Sequence, residues 1–403
     1  MRLLIVTTNN YPYNGTCSNI IQKLINEGGL GQKHSIDVLA SKASIEDRDQ
    51  EMIDGINIIR AFSFTLLNKQ AFGTIKRINA LKWIKGIIDR AVFHYQNKLI
   101  KSDFIDHTTC NAFYKKLIEI HAEQYDYIIS ISGRYDATMA VLRFCKKHEV
   151  KMILYQVDPC ASNKIYDAKS KKKRACFEKS LISKSTAVFT TPIIYKECHY
   201  DVNDIEGKIV PVEFPLIIPM AGRHVYKTPK RCVFLGSFYA GIRDPSFTLD
   251  VFTTLVKRHK AELWFIGPTE SILNDEQSKI GIKCFGRRTI EECNDYMDEA
   301  DCLINIGNRI NNQVPSKIFD YISTGKPIIN ICAINDDPCI PYLSKYPLAL
   351  TIYEGDERAS TKVEAFLESL NNILNNREIE EIYQECTPNY VVDVMCSIIE
   401  TRI

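Results

Sequence analysis

Short, wholly apolar runs recur along the chain, each followed by a polar loop and then a stretch with helical spacing. Leu3–Thr7 opens the series, and Ile36–Ala40, Tyr127–Ser132, Met152–Val157 and Ala187–Thr190 continue it. Runs this short, with no polar alternation, suit strands covered on both faces, as in a parallel sheet between layers of helices. Ile20, Ile21, Leu24 and Ile25 supply the apolar face of a first helix, and Ala137–Cys145 and Cys176–Ile182 mark two more. The repeating unit is strand, loop, helix, strand, which predicts an α/β fold of doubly wound type. The first loop, Asn9–Thr16, holds no Gly-x-Gly-x-x-Gly, so a dinucleotide fingerprint is excluded; Gly15 there permits a tight turn.

The pattern stops once and restarts. Val210–Pro219 is broken by prolines, and the basic, polar segment Arg223–Arg231 follows. Cys232–Leu235, Leu263–Gly267, Ile282–Gly286 and Asp301–Gly307 then read as new strands, with Leu249, Phe252, Leu255 and Val256 on a helix between the first two. Two Rossmann-like halves are therefore expected, residues 1–218 and 219–385, with a final segment 386–403 in which Val391–Ile399 reads as an amphipathic helix. A chain of 403 residues has room for both. Ligands of open α/β sheets sit outside the carboxyl ends of strands, which selects Arg134, in the turn Ser132-Gly133-Arg134, and Asp158. Asp158 reads equally as a helix cap or turn former.

Residues 62 to 121 of the first half read as helical. Between Lys69 and Lys101 they carry Lys69, Lys76, Arg77, Lys82, Lys85, Arg90, Lys98 and Lys101 against Asp89 alone, with Ile75, Ile78, Leu81, Trp83 and Ile84 interleaved. Two readings stand: a basic amphipathic helix on an anionic membrane surface, or a helix packed on its own domain with solvated lysines. Lys169–Arg174 belongs to the same surface or to a plain loop.

The densest chemical pattern is residues 311–329. Pro315 and Ser316 punctuate a helix start, where a serine accepts a bond from a free helix amide; Gly325 stops the helix and Pro327 prevents its return. Ile318, Phe319 and Ile322 form one apolar stripe, while Lys317, Asp320, Tyr321 and Thr324 share the other face. A lysine and a carboxylate near a helix N-terminus suit a nucleotide, with phosphates at the helix end and ribose hydroxyls on the carboxylate. The same spacing also describes a solvated surface pair.

This pattern, Asn-x-x-Pro-Ser-Lys-x-Phe-Asp-Tyr followed by Gly-Lys-Pro-Ile, resembles the nucleotide-sugar signature of GT-B glycosyltransferases of family 4. The resemblance implies two Rossmann-like domains facing across a central cleft. Asp320 takes the place of the second acid of the family's paired glutamates, and Asn312 that of the first, which normally lies near the donor sugar. Gly236 matches the glycine ending the first strand of the second domain. Arg243 takes the place of a lysine that grips the diphosphate, Ser237 stands where an arginine is usual, and Lys317 is the candidate replacement. Arg243, Lys317 and Asn312 are thus the implied catalytic residues. Gly15, Gly267, Phe285, Gly286, Val314, Pro315 and Ser316 join the implied donor site, with Arg134 and Asp158 on the acceptor side.

The activity implied by the resemblance is that of a retaining transferase, which moves a sugar from a UDP- or GDP-linked donor to a glycan or lipid-linked acceptor, in cell-surface polysaccharide synthesis. No metal or other cofactor is expected, since such enzymes use protein groups and Asp47-Arg48-Asp49 lies far from the motif. A nucleotide-sugar epimerase of the same fold, or a degenerate binding partner of another transferase, are the alternatives.

Composition narrows the class without naming it. A net charge of +2 points to no nucleic-acid partner. The 14 cysteines include no Cys-x-x-Cys, which argues against a zinc ribbon and fits reduced, buried thiols in the cytosol. The N-terminus turns polar at Thr7, too early for a signal peptide, and no apolar run reaches the roughly 20 residues of a spanning helix. A cytoplasmic protein is expected, peripheral at the inner face of the plasma membrane if the basic segment binds lipid.

Overall fold

The structure is a computed structural model that describes residues 1–12, 15–63, 104–163, 168–197, 207–239, 241–268, 272–273 and 275–401. The basic stretch Lys69–Lys101 lies outside the described residues. The chain divides into two compact units, Met1–Pro215 with Pro388–Ile403, and Leu216–Thr387.

The first unit is built on an eight-stranded sheet: β1 (Arg2–Val6), β2 (Ser35–Ser41), β3 (Gln50–Ile53), β4 (Ile56–Ala61), β5 (Tyr127–Ser132), β6 (Met152–Gln156), β7 (Ser185–Thr190) and β8 (Ile209–Pro211). Their order is β3-β4-β2-β1-β5-β6-β7-β8. The β3–β4 pair is antiparallel, and the remaining pairs are parallel. The apolar runs explain this arrangement. Every residue of β5 and β6 is buried, as a strand covered on both faces requires. Phe113, Leu117, Ala140, Val141 and Phe144, from the helices His107–Glu119 and Tyr135–His148, cover one face. Each fully buried aliphatic or phenyl side chain contributes about 1.5–3 kcal/mol. The final helix, Pro388–Thr401, belongs to this unit, with Lys33 Nζ 2.6 Å from Asp393 Oδ1.

The second unit holds six parallel strands: β9 (Lys230–Leu235), β10 (Ala261–Ile266), β11 (Lys283–Cys284), β12 (Cys302–Ile306), β13 (Ile328–Cys332) and β14 (Ala349–Tyr353), in the order β11-β10-β9-β12-β13-β14. In both sheets the chain works outward on one side of its first strand, then returns to start the other side. That reversal creates a crevice at the carboxyl ends of two neighbouring strands, β1 and β5 in one unit and β9 and β12 in the other. Phe234, Phe252, Leu263, Phe265, Ile304, Ile329 and Val363 form the second core.

Three expectations need correction. Lys169–Arg174 is no loop; it lies in the helix Ala168–Lys184, and Arg174 is buried with its guanidinium 4.4 Å from the Phe104 ring centroid. The strand read at Ile282–Gly286 shortens to Lys283–Cys284: the Phe285 amide still bonds to the Phe265 carbonyl at 2.9 Å, but Gly286 takes a φ of +71°, outside the extended range. Ser316 begins the helix Lys317–Ser323 without a side-chain cap. Among the described residues no helix is long and apolar enough to cross a membrane.

Candidate functional site

In the second unit the crevice between β9 and β12 is lined by the loops that follow these strands. Gly236 directly follows β9. A side chain there would meet the Phe234 ring at 2.9 Å, so the ring restricts residue 236 to glycine, while Arg243 Nη1 at 3.6 Å lies at ordinary contact distance beside it. Arg243 closes a turn whose amide bonds back to the Tyr239 carbonyl at 2.9 Å. Its Nη2 donates to Asn308 Oδ1 at 2.9 Å and its Nη1 to the Ser237 carbonyl at 3.4 Å, while Nε finds no partner among the described residues. Burial pulls the Arg243 pKa below the usual guanidinium value, yet an arginine stays charged in proteins. A charged donor is thus held in a largely dry place with one N–H uncommitted.

Asn308, which the sequence reading missed, belongs to the same place. It is 5% exposed, accepts from Arg243, and donates through Nδ2 to the Gln313 carbonyl at 2.9 Å. The Arg309 amide donates to the Ile242 carbonyl at 2.7 Å, and Asn311 Nδ2 bonds to Asp336. The loop 307–313 is thereby tied to the loops after β9 and β13. Asn312, within it, is 2% exposed.

Helix Lys317–Ser323 is fastened to the same strand end. The Tyr321 hydroxyl accepts from the Leu235 amide at 2.9 Å and donates to the Leu235 carbonyl at 3.2 Å. The apolar stripe of Ile318, Phe319 and Ile322 is fully buried. Tyr321 and Thr324, expected on the polar face, are buried too, at 1% and 4% exposure. Only Lys317 and Asp320 of that face remain partly open, and they form an i, i+3 pair at 2.9 Å, with side chains 42% and 29% exposed. The amides of Ile318 and Phe319 bond to the carbonyls of Pro315 and Ser316, at 3.2 Å each. Val314 precedes this turn, half-buried.

Gly267 and Gly286 end the neighbouring strand segments. A Cβ on Gly267, whose φ is +136°, would lie 1.9 Å from the Gly236 carbonyl oxygen, so these backbones touch. The Gly267 amide bonds to the Gly286 carbonyl at 2.9 Å. Phe285 is half-buried against Trp264 and Tyr296, with centroids 5.0 and 4.9 Å apart.

The crevice of the first unit is chemically different. Asn9 follows β1, and its Nδ2 lies 2.0 Å from where a Gly15 Cβ would stand. Across β5, a Cβ on Gly133 would meet Cys17 Sγ at 2.9 Å and Asp158 Oδ2 at 3.8 Å. Asn9, Cys17, Gly133 and Asp158 therefore share one place. Burial, helped by the Asp158 carboxylate, pushes the Cys17 thiol up to about 12, so it stays protonated. The Asp158 carbonyl accepts from the Tyr135 hydroxyl at 2.7 Å. Arg134 turns away to solvent, 56% exposed, and pairs with the buried Asp136 at 2.9 Å.

No protein-family profile and no curated protein matches the sequence. Solved structures match over nearly all of it. A sucrose-phosphate synthase from Thermosynechococcus elongatus is 12% identical, with a TM-score of 0.64 over 100% of this chain and 98% of that one. A lipopolysaccharide outer core galactosyltransferase in its apo form is 12% identical, with a TM-score of 0.56 over 100% of both chains. A UDP-GlcNAc 2-epimerase from Methanocaldococcus jannaschii is 9% identical, with a TM-score of 0.56 over 98% of this chain and 100% of that one. The chain has the GT-B fold.

Proposed function

We propose that this GT-B chain is a retaining glycosyltransferase that takes a sugar from a UDP- or GDP-linked donor to a glycan or lipid-linked acceptor. One observation carries the reading: Arg243 stands at the strand-order switch of the second unit, partly desolvated, its guanidinium held by Asn308 and Ser237 with Nε uncommitted. A diphosphate leaving group gains negative charge as the glycosidic bond breaks. A fixed cation in a dry place stabilises that charge more in the transition state than in the ground state. Asp320, one turn into the helix Lys317–Ser323, is the candidate acceptor for ribose hydroxyls. Asn312 is the candidate neighbour of the donor sugar, Gly15 the candidate donor contact from the first unit, and Asp158 the candidate acceptor-side residue.

The test is a panel of UDP- and GDP-sugars offered to purified protein with and without oligosaccharide and lipid-linked acceptors, with products read by NMR. The expected result is acceptor-dependent release of nucleoside diphosphate and a product of retained anomeric configuration. Free nucleotide with an altered sugar and no need for acceptor would identify an epimerase instead. No donor consumption anywhere in the panel removes the transferase.

The segment Lys69–Lys101 is the candidate contact with an anionic membrane surface, on its charge pattern alone. Sedimentation with anionic vesicles should exceed that with neutral ones and fall with added salt, since exposed charges are screened over about 8–10 Å. Equal sedimentation with both removes the membrane reading and leaves the transferase untouched.

A further inference from the structure

The loop after β13 carries a carboxylate that the donor-site reading does not use. Asp337 is 1% exposed. Its Oδ1 accepts from the Cys339 amide at 2.7 Å, and Oδ2 has no hydrogen-bond donor among the described residues, although the thiols of Cys332 and Cys339 interact with the carboxyl group. Oδ2 stands 1.9 Å from where a Cβ on Gly307 would be, so residue 307 has room only for a hydrogen. Asp337 thus lies against the first residue after β12, next to the Asn308 that holds Arg243.

Arg243 and Asp337 feel each other's charge but are not in contact. Each stabilises the other's charged form against the burial that opposes it. The guanidinium spends its hydrogen bonds on Asn308 and Ser237 rather than on the carboxylate. The turn bond to the Cys339 amide accounts for Oδ1 alone, and an asparagine or serine would accept that bond as well without bringing a buried charge.

We propose that Asp337 is a buried counter-charge to Arg243 that limits how tightly the second unit holds a diphosphate, and so hastens release of the nucleoside diphosphate left after transfer. The inference rests on the transferase reading above. With Asp337 ionised, its charge offsets that of Arg243, and an incoming anion meets a nearly neutral place. Free nucleoside diphosphate carries more negative charge than the nucleotide sugar it came from. The carboxylate therefore repels the product more than the substrate.

Titration calorimetry of wild type and Asp337→Asn with UDP, GDP, uridine and guanosine tests this. Asparagine keeps the oxygen that accepts from Cys339 and removes the charge. The variant should bind the recognised diphosphate roughly 10-fold more tightly, the scale of one unit charge acting at partly screened range. Affinity for the matching nucleoside, which has no phosphate, should not change. Unchanged or weaker diphosphate binding overturns the proposal, and so does an equal change in diphosphate and nucleoside, which marks a merely structural role. Should Asp337→Asn not fold, Asp337→Ser carries the same expectations, since its hydroxyl still accepts from an amide. If wild-type protein binds neither diphosphate, the transferase reading falls first and this inference with it; wild-type binding with no gain in the variant overturns this inference alone.

Discussion

The two sheets use one winding rule and place different chemistry at the crevice it creates. At the carboxyl ends of β9 and β12 stands a partly buried arginine bonded to Asn308, and a buried carboxylate, Asp337, lies against Gly307 beside that asparagine. At the ends of β1 and β5 the corresponding place holds an amide, a protonated thiol and a carboxylate, while the nearby Arg134 faces solvent and pairs with Asp136. The first arrangement suits a phosphate-bearing ligand. The second suits a neutral, hydroxyl-rich one, for which a carboxylate and an amide are hydrogen-bond partners. The scaffold thus decides where a ligand sits, and a few side chains on its loops decide what kind.

That contrast breaks most readily at Arg243. A charge-assisted hydrogen bond is worth about 1.5–3 kcal/mol, so Arg243→Ala should weaken binding of the recognised nucleoside diphosphate by roughly 10- to 100-fold in calorimetric titration. Transfer should suffer more than binding, because the leaving group gains charge on the way to the transition state. Equal affinity in wild type and variant would remove the phosphate assignment of the second unit.

Asp158→Ala sharpens the comparison from the other side. Its nucleotide affinity should match wild type, while steady-state transfer falls by roughly 10-fold or more, the usual scale for losing a group that handles a proton or orients an acceptor. A drop in nucleotide affinity like that of Arg243→Ala would show that the units do not divide the chemistry in this way.

Lys317→Ala should do least. Its ammonium is 42% exposed and already paired with Asp320. Exposed pairs contribute about 0–1 kcal/mol, which limits the loss of diphosphate affinity to about 5-fold. A loss as large as that of Arg243→Ala would mean that Lys317 leaves Asp320 to hold the diphosphate alongside Arg243.

Much of the fold could be read without coordinates. The apolar runs at Leu3, Tyr127, Met152, Cys232 and Leu263 fall within or across observed strands, because strands buried on both faces need unbroken apolar sequence. The glycines at 236, 267 and 286 announced strand ends; at Gly267 the reason is that a Cβ would lie 1.9 Å from the Gly236 carbonyl oxygen. β3, β4, β8 and β14 escaped notice. β3, β8 and β14 are edge strands, where the apolar signal weakens, and β8 falls where the linker was expected; β4 is buried, but Asn57 and Arg60 break its apolar run.

The candidate site was less readable. The spacing from Gly236 picked out Arg243, but nothing local pointed to Asn308, 65 positions away and bonded to it. The helical period placed Lys317, Asp320, Tyr321 and Thr324 on one face, and they are on one face. It did not say that the loop end of β9 would cover Tyr321 and leave Lys317 open.

Sequence by itself therefore determined the alternation of strands and helices, hence two mainly parallel sheets and the ends at which ligands collect, because periodicity is a local property written residue by residue. Tertiary structure decided which charges lie in the dry place and which stay in water. Arg243 and Asp337 are drawn in, while Lys317 and Arg134 are left outside. The strength of a charge depends on how much solvent the distant segments packed around it exclude, and the order of residues beside it carries no record of that.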